Sequence, residues 1–146
     1  MDMVRSIETR PMRVIVARME PGEDILDTIE KVVETKGIRS GTINLIGATS
    51  RVQLGYFDRR ANEYKSFLLN EDLEVVSCMG NISRLEDGSP VIHAHMIVSS
   101  ETGNCYGGHL MKGCEVSVTI EMIIQEMDID MTRATDSHTG LNLLDL

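Results

Sequence analysis

The sequence predicts an α+β fold with a highly curved, barrel-like, mainly antiparallel sheet and one main helix packed on it. Only one segment has the periodicity of an amphipathic helix, whereas seven or eight segments alternate or run apolar as strands do. The chain has 146 residues, 42% of them hydrophobic, which is enough for one substantial core. We therefore expect a single domain over residues 1–146, with its core at about 10–127 and a C-terminal tail at 128–146.

The helix is predicted at residues 23–36. Its apolar stripe is Ile25, Ile29, Val32 and Val33. Acidic residues in its first turn suit the positive end of the helix dipole, and Gly37 follows its last residue as a C-cap does.

Strands are predicted on both sides of this helix. Their ranges are 13–19, 41–49 with its continuation at 51–57, 63–69, 73–82, 92–98 and 114–124. In the last strand the alternation predicts an inward face of Val116, Val118, Ile120, Met122 and Ile124. The tail after residue 128 is polar, apart from an apolar cluster at Leu141, Leu143 and Leu144 that needs a surface to cover it.

Three of the four histidines fall in one predicted β-hairpin. Side chains in a strand alternate between two faces, so His93 and His95 share one face of the strand at 92–98. Residues 101–103 (Glu-Thr-Gly) suit a three-residue turn with glycine at the left-handed position. This turn sets His95 opposite His109, and directly opposed residues have Cβ atoms about 4.5–5.5 Å apart. The hairpin therefore predicts that the three imidazoles point the same way.

Three imidazoles on one face can form a facial metal site that leaves room for a further ligand, as in catalytic zinc sites. We predict metal ligands at His93, His95 and His109. Zinc is the default metal, although neutral imidazole also binds copper, nickel and iron. The alternative is a plain solvated face, because the other face of the strand carries the apolar residues.

The net charge of −9 argues against a general affinity for DNA. Binding a phosphate backbone needs clustered lysine and arginine, whereas here only Arg59 and Arg60 are adjacent. A symmetric oligomer could still gather dispersed arginines into one patch.

The sequence also indicates in which cellular compartment the protein is expected. No apolar run approaches the roughly 18 residues that span a bilayer, and the first residues form no hydrophobic signal region. The three cysteines lack Cys-X-X-Cys spacing and are expected to be reduced. We therefore expect a cytoplasmic protein without a membrane partner.

Several motifs occur together in a fixed order. They are Arg-Met-Glu-Pro-Gly-Glu-Asp-Ile at 18–25, Gly-Ala-Thr-Ser-Arg-Val-Gln-Leu-Gly-Tyr-Phe at 47–57, Gly-Asn-Ile at 80–82, His-Ala-His at 93–95, Gly-Gly-His-Leu at 107–110 and Glu-Met-Ile-Ile at 121–124. Over about residues 10–127 they resemble the PPC (plant and prokaryote conserved) domain. The resemblance implies a compact α+β fold, a homotrimer and a predicted DNA-binding role. Plant members carry AT-hooks ahead of the domain, but no Arg-Gly-Arg-Pro core occurs in this chain.

The spacing of the three histidines also resembles the zinc site of acetolactate decarboxylase, at those three positions only. Two functions follow as hypotheses. The first is a metal-binding homotrimer that acts as a binding or regulatory module on DNA or protein partners. The second is a zinc-dependent lyase or hydrolase acting on a small oxygen-rich substrate.

An enzyme needs a general acid or base near the metal, and Glu121 is the candidate carboxylate. Its placement depends on the connection before it. If residues 112–113 form a two-residue turn, His109 pairs with Val116 and Glu121 falls on the opposite face. A longer turn, a bulge or a neighbouring subunit would be needed to bring it to the histidines, and a polar residue on a solvated face is the alternative.

Overall fold

The structure is a computed structural model that describes residues 4–146. Within that range it has nine strands and one helix. The strands are β1 (Pro11–Met19), β2 (Gly41–Asp58), β3 (Glu63–Leu69), β4 (Leu73–Arg84), β5 (Pro90–Ser99), β6 (Cys105–Leu110), β7 (Glu115–Met127), β8 (Thr132–Thr135) and β9 (Asn142–Asp145), and the helix α1 is Ile25–Lys36. Among these residues there is no helix that is long and apolar enough to cross a membrane.

All nine strands belong to one sheet, in the order β1-β7-β2-β6-β5-β4-β8-β9, with β3 paired to β2. The first half of β2 also bonds β4, whereas Leu54 and Gly55 in its second half bond β6. Since β4, β5 and β6 pair in series, the sheet has to curve back toward β2. The α+β class and the curved sheet that the sequence predicted are confirmed.

β2 is one strand of 18 residues, so the segment at 51–57 continues the strand at 41–49, as predicted. Its register shifts on both sides of Gly47, which has a φ of 147°. A Cβ at this position would lie 2.1 Å from the Thr119 carbonyl oxygen. Glycine therefore lets the strand bend beside β7 without ending.

The helix packs on the sheet through the fully buried Ile25, Ile29 and Val33, and it contacts β5 and β7. It begins two residues later than predicted. Asp24 has extended backbone angles and accepts a hydrogen bond from the Asp27 amide, so it is the N-cap. The end at Lys36 agrees with the prediction, because Gly37 takes the left-handed conformation.

The alternation in β7 is broken at Val118, which was predicted to face inward but is 69% exposed. The register shifts between the pairs Thr49–Val116 and Gly47–Ile120, so β7 has extra residues in this interval. A bulge of this kind reverses the side-chain alternation locally. From Ile120 onward the predicted inward face is buried.

The connection between β6 and β7 is not a tight hairpin. β6 pairs with β5 and β2, whereas β7 pairs with β1 and β2. His109 therefore lies opposite His95 and Gly55, so residues 112–113 do not form the two-residue turn that would pair it with Val116. The Gly113 amide donates instead to Asp24 Oδ2 at 2.7 Å, which ties the connection to the start of the helix.

The tail is a β-hairpin rather than an irregular polar segment. β8 and β9 pair with each other, and β8 joins the sheet beside β4 through a pairing of Thr132 with Arg84. We call residues 132–145 the tail hairpin. Each strand has only four residues, too few for a reliable alternation pattern in the sequence.

Candidate metal centre

The hairpin of β5 and β6 has the predicted register, with His95 opposite His109. The Ser100 amide donates to the Asn104 carbonyl at 2.9 Å, and the Gly103 amide donates to the Ser100 carbonyl at the same distance. Gly103 has a φ of 82°, a conformation that glycine adopts without steric cost. The local chemistry of the turn thus sets the register that aligns the histidines.

His93, His95 and His109, here called the histidine group, lie side by side. Their ring centroids are 5.2, 5.3 and 5.6 Å apart in the three pairs. One ligating nitrogen from each ring can be chosen so that all three lie within 4.8 Å of one another. His93 and His109 are half-buried and His95 is exposed, so the group opens toward solvent on the side of His95.

The donor set suits a transition metal ion. Zinc–nitrogen bonds of 2.0–2.1 Å in a tetrahedral site place ligand nitrogens about 3.3 Å apart, so small rotations of the rings would close the group around an ion. His109 Nδ1 is buried and has no hydrogen-bond partner within the described chain. A buried polar atom without a partner is unfavourable, and a bound ion or its ligand shell would remove that cost.

Burial and nearby positive charge lower the pKa of two of the imidazoles, His93 and His109. Burial, reinforced by His93, His95 and Arg133, lowers the pKa of His109 to about 4. Burial also lowers the pKa of His93, with smaller contributions from Arg133 and His95. Neutral imidazole is the form that binds metal, so the folded chain already holds these two ligands in the required state.

Two glycines allow the strands under the histidine group to approach closely. A Cβ on Gly80 would lie 2.1 Å from the His93 carbonyl oxygen, and one on Gly108 would lie 2.7 Å from the Gly55 carbonyl oxygen. These distances are far below normal contact, so any larger residue would push β5 or β6 aside. The spacing of the histidine strands thus depends on glycine at both positions.

A pocket of 180 Å³ lies against two of the histidines. It is bounded by Tyr64, Val91, Ile92, His93, His109, Arg133, Leu141, Asn142 and Leu143. The Tyr64 ring lies 5.0 Å from that of His109, and the tail hairpin supplies the opposite wall. No local pattern in the sequence marks Tyr64 or Arg133 as a site residue.

The other candidates lie elsewhere. Glu121 on β7 pairs with Arg18 on β1 and Ile46 on β2, and it is not among the residues that line the histidine pocket. Cys105 lies opposite Ser99 and is exposed, while Cys78 and Cys114 are buried, all three as free thiols. His138 is exposed in the tail hairpin. Of the predicted site residues, the structure brings together the three histidines and leaves Glu121 apart from them.

A family model for the Plants and Prokaryotes Conserved (PCC) domain matches residues 6–128. This chain belongs to the PCC family. The resemblance of the motifs to this domain, named PPC above, is therefore confirmed over nearly the whole sheet. The matched range includes the histidine group but ends before the tail hairpin begins.

Two solved structures with higher identity to this chain have the same fold. A protein of Archaeoglobus fulgidus described as metal-containing is 32% identical, with a TM-score of 0.89 over 98% of this chain and 100% of that one. A plant- and prokaryote-conserved protein of Pyrococcus horikoshii is also 32% identical, with a TM-score of 0.88 over 99% and 98% of the two chains.

Two further likenesses are more limited. The bifunctional protein GlmU of a Synechococcus strain is 28% identical over 136 residues, which are 92% of this PCC chain but only 20% of that protein. The chain thus spans about a fifth of the curated relative. Acetolactate decarboxylase of Bacillus subtilis shares the fold at 15% identity, with a TM-score of 0.55 over 90% of this chain and 60% of that one.

Proposed function

We propose that this PCC protein is a metal-binding module that works as a homotrimer, with zinc held by His93, His95 and His109. The observation that carries the proposal is the convergence of three ligating nitrogens within 4.8 Å. The lowered pKa of His93 and of His109 supports it, because a lowered pKa favours the neutral form of imidazole that binds a metal. The relative from Archaeoglobus fulgidus that is described as metal-containing also supports it.

Three histidines leave at least one coordination position of a zinc ion for an exogenous ligand, and bound zinc would act there as a Lewis acid. The chain itself supplies the shape of the site. Tyr64 and the tail hairpin restrict access on one side, while the exposed His95 leaves the other side accessible. A site of this form suits the recognition of a small molecule by a binding or regulatory module.

The alternative, a zinc-dependent lyase or hydrolase, has less support. Its favourable feature is the pocket beside His93 and His109. Proton transfer would need a general acid or base within hydrogen-bond reach, and no carboxylate lines this pocket among residues 4–146. Glu121 is paired with other strands, so it would act only if a second subunit brought it close. The geometry therefore favours binding over catalysis.

Self-association is supported by an apolar patch on strands β1, β2 and β7. The apolar patch is Val14, Val16, Ile46 and Ile123, all exposed. Val16 pairs with Ile123 between β1 and β7, so the two side chains share one face of the sheet. Exposed contiguous apolar surface of this kind marks interaction sites. A homotrimer would bury the apolar patch between copies of the chain.

The metal site is tested by zinc content after loading and dialysis. We expect about one zinc per chain for the wild type and a large loss in His95→Ala and in His109→Ala, because each variant removes one of three ligands. His138→Ala and Glu121→Gln are the matched controls and should keep the wild-type content. Full zinc content in both histidine-group variants would contradict the assignment.

The family resemblance implies a DNA-binding role, and a solved structure from Ralstonia eutropha JMP134 (26% identical, TM-score 0.81, 90% of each chain) is described as a candidate DNA-binding protein. The net charge of −9 works against it. We expect generic duplex DNA to bind no tighter than ~1 µM at physiological salt, where non-specific binding lies. Fluorescence anisotropy over a salt series measures this. Tight binding with a steep negative salt slope would instead indicate arginines gathered around the trimer axis.

A further inference from the structure

Arg133 is a charged residue in a buried position. It lies on β8 and is only 8% exposed. Its guanidinium donates to Ser83 Oγ at 2.7 Å, to Asn81 Oδ1 at 2.8 Å and to the Asn142 carbonyl at 2.8 Å. All three acceptors are neutral, and no aspartate or glutamate in the described part of the chain forms an ion pair with it.

The other buried arginine has the acidic partner that Arg133 lacks among the described residues. Arg84 is 6% exposed and forms a 2.6 Å ion pair with Glu34. A buried charge is normally compensated in this way, because taking an ion out of water without a partner is costly. A guanidinium has five N–H donors, and the hydrogen bonds of Arg133 within residues 4–146 use three. Its charge and two donors remain available.

The position of Arg133 indicates the kind of partner. It lines the same 180 Å³ pocket as His93 and His109, and no acidic residue lines that pocket. A divalent ion on the histidine group would add two positive charges beside an uncompensated guanidinium. An anion between them would neutralise both, and the planar fork of arginine matches the oxygens of a carboxylate or a phosphate.

We propose that the pocket between the histidine group and the tail hairpin binds a small oxyanion, with one oxygen on the metal and the negative charge on Arg133. This inference rests on the proposed metal site and names the ligand class for it. The pocket has a volume of only 180 Å³. The ligand is therefore small, and Val91, Ile92 and Leu143 offer an apolar wall for any carbon it carries.

The test is isothermal titration of the zinc-loaded full chain with glycolate and with inorganic phosphate. Ethylene glycol, in which a hydroxymethyl group replaces the carboxylate of glycolate, is the neutral control. We expect at least one of the two anions to bind the wild type and ethylene glycol not to bind. In Arg133→Gln the anion affinity should fall about 10- to 100-fold, the range for a lost charged hydrogen bond. Whether glycolate or phosphate binds identifies the chemical source of the oxyanion.

Arg60→Gln is the matched control, because it removes the same charge from an exposed turn and should leave the affinity unchanged. Circular dichroism and zinc content report whether Arg133→Gln is folded. If that variant does not fold, Arg133→Lys decides the question: it keeps the charge but loses the fork, so the affinity should fall at least threefold.

The outcomes separate the two proposals. A wild-type chain that holds no zinc would overturn the proposed function and this inference with it. Zinc at one ion per chain, with no binding of either anion, would overturn the inference alone. So would an anion affinity that is unchanged in a folded, zinc-loaded Arg133→Gln, or unchanged in Arg133→Lys where only that variant folds.

Discussion

The histidine group and the apolar patch are both outward-facing positions of alternating strands in one sheet, but they differ in what covers them. The tail hairpin lies against the histidine side and adds a buried arginine there. Nothing in the described chain covers the apolar patch, and Val16 is 75% exposed. The difference suggests that the first surface is built for a small ligand and the second for another copy of the chain.

The largest expected effect concerns the apolar patch. Val16→Lys combined with Ile123→Lys should convert the proposed homotrimer to monomers, because charges would replace two paired apolar side chains of the apolar patch. Light scattering at micromolar concentration gives the mass. Leu68→Lys, an exposed apolar position on β3, is the control and should stay trimeric. A monomeric wild type would contradict both the trimer and this role for the apolar patch.

A smaller effect is expected under the histidine group, from Gly80→Ala. The new Cβ would overlap the His93 carbonyl oxygen, so β5 would have to move. We expect a loss of about 2 kcal/mol in the free energy of unfolding, together with weaker zinc binding. Gly107→Ala is the control, since its nearest neighbour atom would lie at 3.2 Å, and it should cost under ~1 kcal/mol. Equal losses in the two variants, measured by urea unfolding, would argue against tight strand spacing at the site.

The smallest effect is the pH dependence of the metal-free protein. The pKa of His109 is about 4 in the folded chain and near 6.5 when unfolded. As the pH falls from about 6.5 to 4, the unfolded chain takes up a proton that folded His109 resists, so the free energy of unfolding falls. We expect roughly 1–2 kcal/mol, less than the full shift implies because the ring is only half-buried.

Urea unfolding of wild type and of His109→Gln across this pH range measures that contribution. Subtracting the two profiles cancels the effect of the carboxylates, which both proteins share. The exposed His138→Gln is the control and should follow the wild type. Parallel profiles for wild type and His109→Gln would mean that the pKa of His109 is not lowered in the folded chain.

Local pattern was sufficient for the hairpin that carries the histidines. Alternation put His93 and His95 on one face, and the glycine of the turn set His109 opposite His95; both features depend on neighbours along the chain. The same reasoning was wrong where a distant strand intervened. The bulge at Val118 depends on how β7 pairs with the distant strand β2. The partners of His109 depend on β6 pairing with β2 rather than with β7.

The sequence by itself determined the α+β class, the capped end of the helix at Gly37 and the shared face of the histidine group, because periodicity, turn chemistry and capping act over a few residues. Only the tertiary structure decided the surroundings of that group. Arg133 is held beside that group by hydrogen bonds to Ser83 and Asn81 on β4, which lie 50 and 52 residues away in the sequence. Its own strand, β8, has only four residues. Contacts over such separations depend on how the curved sheet closes, and no pattern within the tail encodes them.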